Sequence, residues 1–217
     1  HIQNLPTWKY ILIRSGKETQ ANESLLELLQ TQQTIIIASD GSKSATKSGG
    51  AWIFTNSKGT ILIEGHNPDF GTIREIHSHR AEVFGLLAAL LFLEEFCRYY
   101  FIQCQSQIQY HCDNLEIVSK IKAIQYDRTT YAKSYKTTDH DAVLVCSEMI
   151  PRKMIIKHVK SHAENRKKKE QFTLPETLNS RADEIITEKA TKPINTHILN
   201  TPIAVYINHQ YHPNNYS

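Results

Sequence analysis

The pattern of hydrophobic positions predicts that the organised part of the chain opens with three antiparallel strands. An apolar, β-branched run at 35–38 is typical of a central strand buried on both faces, and the Asp-Gly-Ser that follows at 40–42 predicts a turn. Further strand patterns at Gly49–Thr55 and Thr60–Gly65 are joined by the polar segment Asn56–Gly59, which is typical of a hairpin turn. We therefore expect a three-stranded meander.

After the meander, the pattern alternates between helices and strands. An Ala- and Leu-rich stretch predicts a long helix over Ala81–Arg98, with Ser78 as its N-cap. The remaining predicted elements are a strand at Gln107–Cys112, helices at Leu115–Ile124 and Asp141–Ile150, a strand at Lys153–Lys160, and a last helix at Ser180–Ala190 capped by Ser180 or Asn179. The predicted order is βββαβααβα, an α/β fold with a mixed five-stranded sheet and helices packed on it.

The two ends of the chain are more polar than its centre. Residues 1–33 predict a linker from an upstream domain, or a linker with one short amphipathic helix at Glu18–Gln30. Residues 191–217 predict a polar tail with one weak strand at Ile203–Ile207. We therefore expect residues 34–190 to form the single folded domain.

Composition excludes several classes of protein. With 217 residues, 40% of them hydrophobic, the chain lies in the globular range, and its net charge of +3 is too small to argue by itself for nucleic acid. The four cysteines have no zinc-finger or disulfide spacing, which favours an intracellular protein of the cytoplasm or nucleus with reduced thiols. The apolar stretch at Phe84–Phe92 is roughly half of a bilayer span, and no signal peptide opens the chain. A first residue other than Met suggests a piece of a longer protein.

Four acidic residues stand at boundaries of the predicted elements. Asp40 and Asp113 end strands, whereas Glu82 and Asp183 lie in the first turns of helices. Each acid alone is explained as well by a turn, a cap or the helix dipole. If strands one and four are neighbours, however, Asp40 and Asp113 lie side by side at one sheet edge, and two helix starts aimed at the same edge would add Glu82 and Asp183. Hard oxygen ligands of this kind suit Mg²⁺ or Mn²⁺, and two such ions about 3.5–4 Å apart can clamp a phosphodiester.

Five short segments resemble the motifs of type-1 ribonuclease H domains, in the same order and on the same predicted elements. They are Ser39–Ser42, His79–Glu82, Cys112–Asn114, Val159–His162 and Arg181–Glu184. The resemblance covers roughly residues 34–190 and implies a ribonuclease H-like fold. It also implies an endonuclease that uses two Mg²⁺ ions, or Mn²⁺, to cut the RNA strand of RNA–DNA hybrids. The Arg-Ala-Glu…Gly-Leu-Leu-Ala-Ala-Leu helix is further similar to domains that follow the reverse transcriptase in non-LTR retroelement polyproteins, which implies a reverse transcriptase domain upstream.

The resemblance also implies a role for individual residues. Asp40, Glu82, Asp113 and Asp183 are the expected catalytic, metal-binding carboxylates. His162 is the expected loop histidine, which assists proton transfer and product release. Contacts with the hybrid are expected from Gly41, Ser42, Ser78, His79, Asn114, Lys167, Lys168 and Lys169. Departures from the family pattern are Leu115, where a polar residue is common, and Ser161, where glycine is usual.

Some features have a second interpretation. Lys167–Lys169 is either a solvated loop or a set of phosphate contacts that makes binding depend on salt. His77 and His79 have the spacing of a metal pair, but the expected hard-cation chemistry beside them argues against zinc. The basic loop Tyr126–His140 replaces at most part of the basic protrusion of other family members. The alternative functions are a non-catalytic hybrid-binding or tethering module, and a DNA-cutting or exonuclease enzyme of the same superfamily.

Overall fold

The computed structural model describes residues 4–19, 24–71, 76–126, 139–151, 154–160 and 162–194. The predicted strand at Ile203–Ile207, most of the basic loop Tyr126–His140 and the position of Ser161 lie outside these residues. The helices are α1 (Thr7–Ile13), α2 (Leu25–Leu29), α3 (Ser78–Tyr99), α4 (Leu115–Tyr126), α5 (His140–Met149) and α6 (Leu174–Lys189). The strands are β1 (Lys17–Glu18), β2 (Thr34–Lys43), β3 (Ser48–Asn56), β4 (Ile61–Pro68), β5 (Gln107–Cys112) and β6 (Ile155–His158).

The strands form one mixed sheet in the order β1-β4-β3-β2-β5-β6. The meander β2-β3-β4 is antiparallel, as predicted, and β5 and β6 continue the sheet in parallel with β2. The sheet has six strands where five were expected. The additional strand, β1, consists of only two residues paired with Glu64 and Ile63 of β4, which is too short to leave a hydrophobic pattern.

The described part of the N-terminal segment packs on the domain instead of extending as a linker. Buried side chains of α1 and α2, among them Leu12 and Leu29, join the core beneath α3. The predicted helix at Glu18–Gln30 is wrong in extent, because Glu18 pairs with Ile63 in the sheet and the helix begins only after its N-cap, Ser24.

Helices cover both faces of the sheet. On one face α3 lies over the larger core, which includes Ile35, Trp52 and Tyr110. On the other face α6 packs on Ile36 and Ile53. The central strands are therefore buried on both sides, as the continuous apolar run at 35–38 predicts.

Three element boundaries differ from the predicted ones. Each difference changes the position of a predicted site residue within its element. The Asp-Gly-Ser at 40–42 is not a turn, because β2 keeps its pairing with β3 as far as Lys43. The N-cap of α3 is His77, whose ring accepts a hydrogen bond from the Arg80 N–H, so Ser78 is the first helical residue and Glu82 lies in the second turn. The last helix begins at Leu174, so Asp183 lies well inside it.

A capping box explains the early start of α6. The Thr173 side chain and the Glu176 side chain each bond to the other's backbone, and Pro175 occupies the first turn. This replaces the predicted caps Ser180 and Asn179, which are both helical. The sequence signal, a threonine three residues before a glutamate, was present.

Two compositional expectations can be compared with the structure. Among the described ranges, no helix combines the length and apolar character needed to cross a membrane. Cys97, Cys104 and Cys112 are free thiols.

Candidate active site

Asp40, in β2, and Asp113, directly after the end of the neighbouring strand β5, lie level with each other. The parallel register pairs Ala38 with His111, so the two acids, each two residues further on, meet at the same sheet edge. Both line a small cleft that also receives side chains from α6 and from the loop before it. We call this the carboxylate cleft, and it is lined by Asp40, Asp113, Lys160, His162, Ala163, Glu164, Glu176, Asn179, Ser180 and Asp183.

Glu82 joins this edge from α3, because the helix approaches β2 very closely at Gly41. A side-chain carbon at Gly41 would overlap the backbone nitrogen of Glu82. The Glu82 carboxylate lies within 4.8 Å of that of Asp113, beside the Cys112 thiol, and the Asn114 side chain hydrogen-bonds to it. Its Oε2 atom is buried without a protein hydrogen-bond partner.

Burial raises the pKa of all three acids, and repulsion from neighbouring carboxylates raises it further at Asp40 and Glu82. Desolvation, followed by the charge of Asp113, raises the pKa of Asp40 from 3.8 to about 8, although the Gly41 N–H donates to its Oδ1 at 2.8 Å. The same two causes raise the pKa of Glu82 from 4.5 to about 8. Burial also raises the pKa of Asp113. Such shifts mark a site that gains stability from a bound cation.

One face of α6 supplies the opposite wall of the cleft. Asp183 stands exposed on this face, one turn after Asn179. The Asn179 Nδ2 group donates to Asp113 Oδ2 at 3.1 Å, while its Oδ1 atom is buried and has no hydrogen-bond partner. Sequence reasoning considered Asn179 only as a helix cap. Its spacing four residues before Asp183, on the same helical face, was the available signal.

His162 stands at the rim of the cleft, on the loop that leads into α6. Its side chain is 71% exposed, its backbone is left-handed (φ 52°), and its Nδ1 lies 3.1 Å from Glu164 Oε1. The loop is attached to α6 by Lys167, whose Nζ lies 2.6 Å from the buried Glu176. The hydrogen bond from this ammonium group, and to a smaller extent those from Thr173, lower the pKa of Glu176 to about 2.

The basic cluster 166–169 is partly neutralised within the protein. Besides the pair of Lys167 with Glu176, Lys169 Nζ lies 3.0 Å from Glu184 on α6. Arg166 donates to the backbone oxygen of Lys160 at 3.0 Å. Lys168, at the start of a 3₁₀ turn, is exposed.

The remaining predicted substrate residues surround α3 and α4, and most have protein partners. Ser42 pairs with Gly49 in the sheet, and Ser78 opens α3. The Asn114 Oδ1 atom accepts hydrogen bonds from the first turn of α4. His79 is 14% exposed, and its ring is turned toward Asp139 rather than toward solvent. These residues do not line the carboxylate cleft.

The donor set fits a divalent cation of the magnesium class. Asp40, Glu82 and Asp113 offer hard carboxylate oxygens from three separate elements, and Asp183 adds a fourth from α6. The unpartnered Oε2 of Glu82 supports this, because a buried carboxylate oxygen without a donor is costly unless a cation binds it. The arrangement can therefore hold a hard cation against a bound phosphate ester.

Comparison with known proteins identifies the fold. No protein-family model and no curated protein matches the sequence. LC9-RNase H1, a type 1 RNase H with the type 2 active-site motif, is 10% identical over 75% of each chain, with a TM-score of 0.50. LC11-RNase H1, isolated from compost by a metagenomic approach, is 20% identical over 72% of this chain and 95% of its own (TM-score 0.46). A foamy viral protease-reverse transcriptase in complex with RNA/DNA hybrid is 12% identical over 84% of this chain and 23% of its own (TM-score 0.43). The likeness to LC9-RNase H1 and the order of the mixed sheet show that this chain has the ribonuclease H-like fold.

Proposed function

We propose that the chain is a metal-dependent endonuclease that hydrolyses the RNA strand of RNA–DNA hybrids. The observation that carries the proposal is the convergence of Asp40, Glu82 and Asp113 on one sheet edge, where burial raises the pKa of all three and the charge of Asp113 raises that of Asp40 and Glu82 further. Buried acids that repel one another destabilise a fold. Their presence is therefore better explained by chemistry than by packing.

In this proposal Asp40, Glu82, Asp113 and Asp183 hold two Mg²⁺ ions, or Mn²⁺. Bound divalent cations supply Lewis-acid activation of water and charge stabilisation at the phosphodiester. The protein keeps the ligands in place: the Gly41 N–H orients Asp40, and the Asn179 amide fixes one oxygen of Asp113. Asn114, which directly precedes α4, does the same for Glu82.

We assign the proton transfer to His162. Its exposed ring lies at the rim of the cleft, and Glu164 interacts with its Nδ1, so the ring would reach both a scissile phosphate in the cleft and solvent. Through the other ring nitrogen it would deliver a proton to the leaving 3′ oxygen and help the product to depart. Because the 3′ oxygen is the leaving group, the products would have 5′-phosphate and 3′-hydroxyl ends.

Recognition of the hybrid would combine phosphate contacts with contacts to the ribose. The 2′-hydroxyls in the shallow minor groove distinguish the RNA strand from DNA, and we assign these contacts to Gly41, Ser42, Ser78 and Asn114, since the His79 ring faces Asp139 instead. Within the lysine cluster we assign the phosphate contact chiefly to Lys168, because Lys167 and Lys169 are ion-paired with glutamates.

We further propose that the domain belongs to a non-LTR retroelement polyprotein, acts inside the cell, and follows a reverse transcriptase domain in the same polypeptide. This rests on the resemblance of the segment around Arg80-Ala81-Glu82 to such domains. Antibodies against the domain would test it, since they should detect a larger polypeptide that has reverse transcriptase activity. A short, separately translated protein would contradict it.

The proposed activity is tested with a labelled RNA–DNA hybrid, with and without Mg²⁺, alongside duplex RNA and duplex DNA of the same sequence. We expect cleavage of the RNA strand of the hybrid only, and only with the cation. Glu18→Gln is the matched control and should cleave like the parent. It removes an exposed acid on β1, which three strands separate from β5 in the sheet. Hybrid binding without cleavage would instead favour the non-catalytic tethering module.

A further inference from the structure

We propose that His77, His79 and Asp139 form a second metal site, separate from the carboxylate cleft and suited to Zn²⁺ or a similar transition-metal ion. The two histidines lie at the start of α3, and Asp139 is the N-cap residue of α5. From the sequence, the hard-cation chemistry expected beside the histidine pair argued against zinc. The third ligand, 60 positions from His79 in the chain, is visible only in the structure. This inference does not depend on the proposed nuclease function.

The spacing of the three ligand atoms matches a tetrahedral ion. Asp139 Oδ2 lies 2.9 Å from His79 Nδ1 and 3.5 Å from His77 Nδ1, and all three atoms lie within 4.8 Å of one another. With metal–ligand distances of about 2.0–2.1 Å, tetrahedral ligands stand about 3.3 Å apart. The observed distances lie on either side of this value. A metal at His77 Nδ1 would replace the long (3.4 Å) cap hydrogen bond that this atom accepts from the Arg80 N–H, and small side-chain rotations would then complete three positions and leave a fourth for water.

Residues behind the ligands provide the outer contacts that metal ligands need. Asp139 uses its other oxygen, Oδ1, to accept a hydrogen bond from Arg80 Nη1 at 3.0 Å. His79 has a buried Nε2 atom without a hydrogen-bond partner, and this atom lies 4.0 Å from Glu116 Oε2. A histidine that binds metal through one ring nitrogen commonly donates the other N–H to a carboxylate. Glu116, held by Lys120 at 2.5 Å, is in the position for that role.

Ligand chemistry separates this site from the carboxylate cleft. Two imidazoles and one carboxylate favour zinc and its neighbours, whereas the all-oxygen set around Asp40 favours Mg²⁺. The Arg80 guanidinium beside Asp139 and the N-terminus of α3 both add positive charge, which weakens cation binding. The negative charges of the Asp139 and Glu116 carboxylates offset this positive charge. A bound ion would join the first turn of α3 to the start of α5.

Titration of the full chain with Zn²⁺ tests the site. The Asp40→Asn/Asp113→Asn double variant serves as the background, since it removes two of the carboxylates that would bind a second ion. We expect one equivalent of Zn²⁺ by calorimetry, retained in excess Mg²⁺, and the visible absorption of tetrahedral Co²⁺ when Co²⁺ replaces it. Glu116→Gln should weaken Zn²⁺ binding by about 10–100-fold, the usual effect of losing an outer contact.

His77→Ala in the same background should weaken Zn²⁺ binding at least tenfold and abolish the Co²⁺ bands, while His66→Ala, on β4, should leave both unchanged. Thermal unfolding without metal checks that the variants fold, and Asp139→Asn, which keeps the side-chain size, provides an independent ligand test. Zn²⁺ binding that is absent from the background, or that survives both His77→Ala and Asp139→Asn, would overturn the proposal.

Discussion

At the scale of single residues, the geometry of Asp113 depends on a neighbour that is not acidic. The Asn179 amide donates to one carboxylate oxygen of Asp113, and its own Oδ1 is buried without a partner. One hydrogen bond to a charged group contributes about 1.5–3 kcal/mol. Asn179 is therefore a positioning residue for the proposed reaction, because it acts through Asp113.

Asn179→Ala should lower the turnover number for hybrid cleavage by about 10–100-fold, the factor that corresponds to this hydrogen bond. The KM for the hybrid should change little, while more Mg²⁺ should be required, because Asp113 loses the donor that orients it. Steady-state kinetics across a range of Mg²⁺ concentrations measures both. Glu188→Gln, on the exposed end of the same helix, is the control. Unchanged turnover and Mg²⁺ requirement would show that Asn179 has only a packing role.

The raised pKa of Asp40 predicts how stability depends on pH when divalent cations are absent. Since burial and Asp113 raise this pKa from 3.8 to about 8, the folded state binds the proton more tightly than the unfolded state does. The charged carboxylate therefore destabilises the fold progressively as pH rises from about 4 to about 8, and fully above that.

Asp40→Asn should accordingly raise the melting temperature at pH 8 in EDTA by at least about 2–4 °C, the shift that 1 kcal/mol gives in a domain of this size. At pH 4 the variant and the parent should melt alike. Calorimetric scans at the two pH values provide the measurement. A variant that is less stable than the parent at pH 8 would contradict the assigned electrostatics.

At the scale of elements, the site depends on how closely α3 approaches the sheet. A side-chain carbon at Gly50 would lie 2.6 Å from the Gly85 Cα atom, and one at Gly41 would overlap the Glu82 backbone. These glycines let the helix bring Glu82 beside Asp40 and Asp113. Gly41 was expected to contact substrate, but the contact that the structure shows is with α3.

Gly41→Ala should therefore lower the free energy of unfolding by about 1–3 kcal/mol, the usual cost of overpacking. It should also reduce Mg²⁺ affinity, because Glu82 is pushed away from the other acids. Ser42→Ala, one residue along the same strand, should change stability by less than about 1 kcal/mol. Denaturant unfolding and Mg²⁺ titration of both variants make the comparison, and equal stabilities would show that α3 is not held at this point.

The loop before α6 gives a second element-scale prediction. If Lys168 touches a phosphate, Lys168→Ser should reduce the slope of log hybrid affinity against log salt by about 0.7–0.9. Lys169→Ser should reduce it less, because Lys169 is already paired with Glu184. Affinity measured at several salt concentrations distinguishes the two variants. Equal slopes for Lys168→Ser and the parent would identify the cluster as a solvated loop.

The sequence predicted the elements that have a clear hydrophobic periodicity. It missed those that depend on pairing with a strand distant in the chain. The meander, β5 and the long helix follow from apolar patterns, whereas β1 has too few residues to form one. The continuation of β2 through Asp40 depends on its partner β3, which no local rule reveals. In the site, the sequence predicted the four acids from expected element ends, whereas in the structure only Asp113 directly follows an element. The amide contact of Asn179 required the packing of α6.

At the scale of the whole molecule, the ribonuclease H-like sheet and its helices bring together acidic side chains from distant parts of the chain. Asp40 comes from β2, Asp113 from the residue after the adjacent parallel strand β5, Glu82 from the helix on one face, and Asp183 from the helix on the other. The order of the strands, with β2 between β3 and β5, makes this convergence possible. The central claim is that the convergence serves hydrolysis of RNA in hybrids.

The most direct test is the single-turnover rate at which the chain and its Asp113→Asn variant cleave the RNA strand of a labelled hybrid in Mg²⁺. The substitution keeps the shape of the side chain and removes the charge that a divalent cation requires. We predict cleavage by the parent, with 5′-phosphate products, and a rate in the folded variant below a tenth of the parent rate. A variant that retains more than a tenth of that rate, or a parent that leaves the hybrid intact, would contradict the account.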